Sequence, residues 1–225
     1  MHQDYILRMI EQLSGVVRRV LRLRDEGEHD AALTEVTDAY GRIAGLPATL
    51  VHALSEENLI AMLRSQGRLD PERCFVLAEL LREEALVYEA MANEAESAPR
   101  FRKALRLYLE AFEDPTDLPA ALDVSGLEDL IDRLGDQPLP EPTRRRVINY
   151  LVLTGRFDRA ENILLWHLEL PDLSGEARRE AVAFYEALLR KPDHELAEGG
   201  LPREEVEAGL ERLRRHPELP PHGLG

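Results

Sequence analysis

Apolar residues recur every three or four positions along nearly all of this 225-residue chain, and no stretch alternates convincingly at two. The pattern predicts an all-α fold. Helices are expected near residues 4–25, 29–44, 55–65, 71–93, 98–113, 126–134, 142–154, 157–169, 174–190 and 202–215. Start signals support these limits. Asp70-Pro71 offers a capping carboxylate followed by a proline at the first helical position, and Ser125 with Glu128 forms a capping box. Pro202 precedes Glu204 and Glu205, which place negative charge where the helix dipole favours it.

Five prolines, Pro115, Pro119, Pro138, Pro140 and Pro142, fall in one segment where helices must be short and the chain must turn. The expectation is a single helical-repeat domain over residues 1–225. It would consist of two lobes, 1–114 and 142–216, joined by the proline-rich stretch 115–141. The last residues, 217–225, carry too little apolar surface to offset their ordering entropy and are expected to form a flexible tail.

A short motif recurs. Gly27, His29 and Ala32 have the same spacing as Gly155, Phe157 and Ala160; a third copy keeps Phe101 and Ala104 but has Pro99 in the glycine position. A turn glycine admits positive φ and a small alanine lets a second helix approach the first, so each copy predicts an antiparallel helical hairpin. The motif resembles the tetratricopeptide repeat (TPR), most closely in the third copy with Tyr108, Ala111 and Pro115. The three alanines are 72 and 56 residues apart, whereas regular repeats of this type recur about every 34. The resemblance implies stacked hairpins in a TPR-like α–α superhelix. The two ends, DYILRMIEQL at 4–13 and GGLPREEVEAGLERL at 199–213, resemble those of an uncharacterised bacterial family with degenerate repeats of this kind. That likeness implies no site residues.

The first helix is apolar over too wide an arc for one neighbour. Ile6, Leu7, Met9, Ile10, Leu13, Val16, Val17, Val20, Leu21 and Leu23 span roughly 200° at about 100° per residue. Either this helix is central and packed on two sides, or its surplus face meets a second copy of the chain. Ile6, Ile10, Leu13 and Val17 are therefore candidate interaction residues. Arg144, Arg145 and Arg146 form a second candidate, a cationic cluster able to receive an acidic peptide or a phosphate. The alternative for this run is an exposed face paired with acids from EDLIDRLGDQ.

Charge narrows the partners. A formal net charge of −15 opposes binding to nucleic acid or anionic lipid, which depends on cationic groups. One cysteine cannot form an internal disulfide, and charged residues interrupt the N-terminal apolar run, so a cytoplasmic protein without a membrane anchor is expected. Cys74 reads as a buried inert thiol and Trp166 as a core anchor. There is no His-Glu-x-x-His pair, phosphate-binding glycine loop or nucleophile elbow. No catalytic, metal or cofactor residue is assigned. The expected role is a non-enzymatic scaffold for a protein or peptide partner, with a possible homodimer through the first helix. The alternative is an enzyme or small-molecule sensor with its site between the lobes, near the arginine run and Trp166.

Overall fold

The computed structural model describes residues 2–65, 67–112, 125–134, 137, 139–168 and 174–215. Among these, every regular element is helical apart from a two-residue antiparallel ladder. The chain divides into two compact units, Met1–Asp132 and Arg133–Gly225. The expected tail and about half of the proline-rich stretch lie outside the described residues.

Unit 1 opens with α1 (His2–Asp25) and α2 (His29–Ala39). The single helix expected over 29–44 instead widens into a π-helical turn, Tyr40–Ala44. Arg73 explains its ending: its Nε and Nη2 donate to the Ala44 carbonyl at 3.2 and 2.9 Å, while Gly45 takes a left-handed φ of 69°. Two short helices follow, α3 (Ala48–Ala53) and α4 (Glu56–Met62). The helix expected to reach residue 65 stops at Met62, and the chain folds into the ladder that pairs Arg64 with Leu69 and Ser65 with Arg68.

The core of unit 1 is α5 (Pro71–Ala90), paired along its length with α6 (Glu94–Ala111). Its start follows the sequence signal: the Asp70 carboxylate accepts from the Arg73 amide at 3.0 Å, and Pro71 occupies the first turn. Burial then runs round the whole helix, from Cys74 to Leu81 and on through Glu83, Glu84, Ala85 and Val87. A helix buried around most of its circumference has little polar face to spare, so its three buried glutamates, Glu79, Glu83 and Glu84, must find partners inside the protein. α7 (Ser125–Leu134) begins against this pair: a side chain at Gly126 would meet the Tyr108 hydroxyl at 2.5 Å.

Unit 2 contains α8 (Glu141–Leu153), α9 (Phe157–Leu168), α10 (Ser174–Leu188), α11 (Asp193–Glu198) and α12 (Arg203–Arg215). α9 packs on both α8 and α10, and α12 on α10. At the last contact Gly209 lies over Tyr185, where an added Cβ would sit 2.5 Å from the ring.

The recurring motif marks turns of one geometry. Gly27 between α1 and α2, and Gly155 between α8 and α9, have φ of 78° and 74°. In each, the next amide reaches back five residues, Glu28 to Leu23 and Arg156 to Leu151, both at 2.8 Å, which is the Schellman closure. The buried Ala32 and Ala160 follow at the helix crossing. The third copy uses a different register from the one expected. Its turn is at Ala92, with φ 55° and the same five-residue closure, the Asn93 amide donating to the Tyr88 carbonyl at 2.9 Å, while Pro99 lies inside α6. Ser97 is thus the small buried residue at the crossing, and Ala104 lies on the same face two turns further on. Gly200 repeats the closure between α11 and α12, with Leu201 bonded to the Leu196 carbonyl at 3.0 Å.

Ala92 is the only non-glycine residue at positive φ among the described residues. Ala92→Gly is therefore expected to raise the unfolding free energy by about 0.5–1 kcal/mol, the left-handed penalty less the added entropy of glycine. Urea denaturation checks this, and a loss of stability would contradict a left-handed turn there.

Candidate functional site

α1 divides its wide apolar arc between two environments. Met9, Leu13, Val16 and Val20 are buried where the helix packs on α2 and α5. Ile10 and Val17 are half-buried, and Leu7 and Leu21 are 48% and 42% exposed. The Ile6 side chain lies outside the described ones. Packing on two sides thus accounts for part of the arc and leaves a stripe over. Leu7, Ile10, Ser14, Val17 and Leu21 follow one another at intervals of three and four, the spacing of a helix–helix seam.

From Ile10 to Leu21 this stripe forms one wall of a groove of about 600 Å³ contained within unit 1. Ile10, Leu13, Ser14, Val17, Arg18, Leu21 and Arg24 line it from α1; Phe75, Glu79, Arg82 and Glu83 line it from α5, and Ser125 from the start of α7. The wall contributed by α5 is charged, and its charges are paired with one another and with neighbouring elements. Arg82 Nη1 donates to Glu83 at 2.7 Å and to Glu79 at 3.4 Å, its Nε lies 3.8 Å from Asp129, and Arg24 stands 3.9 Å from Glu83. Burial pushes the Glu83 carboxyl up, the Arg82 and Arg24 charges pull it down, and Glu79 adds to the upward push, leaving it raised. Burial, followed by the Glu79 charge, likewise keeps the Tyr108 hydroxyl protonated. An apolar stripe facing a neutralised charged wall suits an amphipathic partner better than a small ion.

A second cluster joins four elements beneath the surface. The Glu84 carboxylate accepts from the Tyr40 hydroxyl and from His52 Nε2, each at 2.8 Å, and lies 2.9 Å from Arg100 Nε. Burial would raise the Glu84 carboxyl, but the hydrogen bond and charge of His52, then Arg100 and Tyr40, outweigh it and hold it below its ordinary value. Lys103 closes the adjoining end of α3, donating to the carbonyls of Val51, His52 and Leu54 at 2.9, 3.1 and 2.7 Å. A carboxylate, an imidazole and a phenol could in principle move protons. None of the three lines the groove, and with Arg100 they fasten the π turn, α3 and α6 to α5.

The arginine run faces several environments. Arg144 is 1% exposed, and its Nε and Nη2 donate to Glu180 at 3.2 and 2.8 Å, tying α8 to α10. Arg145 is exposed and pairs with Glu141 at 2.5 Å and with Glu180 at 3.6 Å; Arg146 is half-buried. Of the three, Arg144 is placed to hold the fold rather than to meet a partner. Cys74 is fully buried, and burial pushes its thiol far above the ordinary range. Among the described residues no three His, Cys, Asp or Glu side chains gather as a metal ion requires, and no helix is long and apolar enough to cross a membrane.

The arc width of α1 marks in the sequence the helix that lines the groove; its counterpart on α5 carries no such mark. Phe75, Glu79, Arg82 and Glu83 were hidden in a helix whose hydrophobicity runs round its whole circumference. The available signal was the run of charges, REE at 82–84, inside an otherwise apolar stretch.

A family model described as a family of unknown function (DUF6483) matches residues 1–218. The chain belongs to the DUF6483 family. No curated protein matches it, and no solved structure does. The DUF6483 match extends over both units, so the groove of unit 1 and the Arg144–Glu180 tie of unit 2 both fall within the family's span.

Proposed function

We propose that this chain is a non-catalytic interaction scaffold, built from degenerate TPR-like hairpins stacked as a superhelix, which holds a helix of a protein partner in the groove between α1 and α5. The observation that supports this is the seam-spaced stripe Leu7, Ile10, Ser14, Val17 and Leu21, exposed at two of its leucines and opposed by Phe75 across about 600 Å³. A groove of that form accepts residues at i, i+3, i+4 and i+7 of an amphipathic helix. The rim charges orient such a helix more than they hold it, because exposed pairs contribute only about 0–1 kcal/mol each. The net charge of −15 disfavours nucleic acid as the partner.

The test is a photo-crosslinking amino acid placed at Val17 or Leu21 in living cells, with Glu207 on the exposed face of α12 as the control position. The expected result is a discrete protein adduct from positions 17 and 21 that is absent from 207. Adducts from neither groove position would refute the reading.

A further inference from the structure

We infer that the helix seated in the groove is α1 of a second copy of this chain, running antiparallel and centred on Ser14–Gly15. This rests on the scaffold reading above and names its partner.

The stripe is close to palindromic. Between residues 10 and 21, Ile10 and Leu21 stand at the two ends, and Ser14 and Val17 each lie four residues inside them. A two-fold contact uses the same patch on both subunits, so a surface that reads alike in both directions is self-complementary. The small Ser14 and Gly15 occupy the middle, where two crossing helices approach most closely. In this arrangement Leu21 of each copy packs beside Ile10 of the other.

Charge selects direction and register. Glu11 and Arg18 are exposed and occupy equivalent seam-flanking positions, seven residues apart. An antiparallel copy centred on Ser14–Gly15 sets Glu11 of one chain beside Arg18 of the other, twice per dimer. A slip of one heptad toward either end would instead oppose Glu11 to Glu11, or Arg18 to Arg18. In a parallel pair, the residue facing Arg18 would be Leu13, which is buried in its own fold. Neighbouring arginines on α1 are engaged within the chain: Arg19 lies 3.5 Å from Glu35 and Arg22 lies 4.0 Å from Glu26. Arg18 Nε donates within its own helix, to the Ser14 carbonyl at 3.2 Å.

Residues 7–24 supply about two and a half heptads, short of the three to four that sustain a free coiled coil. The α5 wall makes up the difference. By symmetry each α1 lies against the other's Phe75 as well as against its stripe.

Sedimentation of the full chain tests this. The wild type is expected to sediment near twice its 25.5 kDa mass. Glu11→Arg and Arg18→Glu alone should each weaken the dimer by about tenfold or more, by setting like charges opposite one another. The double variant should recover to within about threefold of the wild type. Circular dichroism checks that these exposed substitutions leave the fold intact. Cysteines placed at Glu11 in one preparation and Arg18 in another should form a disulfide when mixed, and neither should do so alone. A dimer unmoved by the charge swaps, or a self-disulfide at position 11, overturns the antiparallel register. A monomer at all concentrations whose position-17 crosslinker captures a different protein overturns the second-copy inference and leaves the scaffold reading standing. A monomer with no adduct overturns both.

Discussion

Glu84→Gln is expected to lower the unfolding free energy by about 3 kcal/mol, whereas Glu83→Gln, one residue away on the same helix, is expected to leave it within about 0.5–1 kcal/mol of the wild type. Both side chains are buried. Their surroundings differ in sign. The Glu84 charge is met by Tyr40, His52 and Arg100, so neutralising it removes the buried counterion of Arg100 and leaves that guanidinium only the exposed Glu96. Burial and the nearby Glu79 already disfavour the Glu83 charge, so an amide there removes a cost along with the attraction of Arg82. Acid separates the two further. The Glu84 carboxyl is lowered in the folded state, so its contribution is present above the unfolded carboxylate value, about 4.3, and is lost as pH falls through the lower folded value. Glu83 is raised, so its cost applies above that raised value and is relieved as pH falls toward the unfolded one. The difference between wild type and Glu84→Gln should therefore shrink on acidification. Urea midpoints measured between neutral pH and pH 3 decide this; equal losses for the two variants would refute the assignment of roles.

The second large effect is expected in unit 2. Phe157→Ala should cost about 3–5 kcal/mol, the usual penalty for emptying an aromatic core site. Phe157 is 2% exposed at the first position of α9, and Gly199 lies directly against its ring. The Gly199 carbonyl also accepts from the amides of Phe157 and Asp158 at 3.0 and 3.2 Å, so the end of α11 caps the start of α9. Gly199→Ala would bring a Cβ to 2.3 Å from the ring and 2.7 Å from the Gly155 carbonyl, and should cost about 1–3 kcal/mol. The double variant should lose less than the sum, because the added methyl enters the space the ring has left. Trp166, the sole tryptophan and part of α9, reports the transition by fluorescence. Strict additivity would show that ring and glycine do not share one packing site.

Much of the fold was legible because helical periodicity and capping chemistry are local. Asp70, Pro71 and Arg73 build the start of α5 from adjacent residues, and Gly27 and Gly155 declare their turns by the only residue type that adopts positive φ without strain. Ala92 gives no such signal, and the third turn lies seven residues before the position its motif predicts; the helix face is the same because seven residues is close to two turns. The π turn and the short ladder were illegible for a different reason. They end where Arg73 reaches the Ala44 carbonyl, 29 residues away in sequence, and where Leu63 accepts from the Asp70 amide at 3.1 Å. Of the candidate site, the α1 stripe could be read from arc width. The α5 wall could not, since a helix apolar on every side does not reveal which side meets a groove. Arg144 failed as a surface candidate because its counterion, Glu180, lies 36 residues downstream.

The enclosure of α5 has a bearing on synthesis. A nascent chain that has emerged only as far as residue 90 carries this rod with no α6 to cover it, and Glu84 still lacks Arg100. Unit 1 thus has no shorter stable intermediate ending at α5, and the interval until residue 111 leaves the ribosome is when the protein most needs shielding from its neighbours.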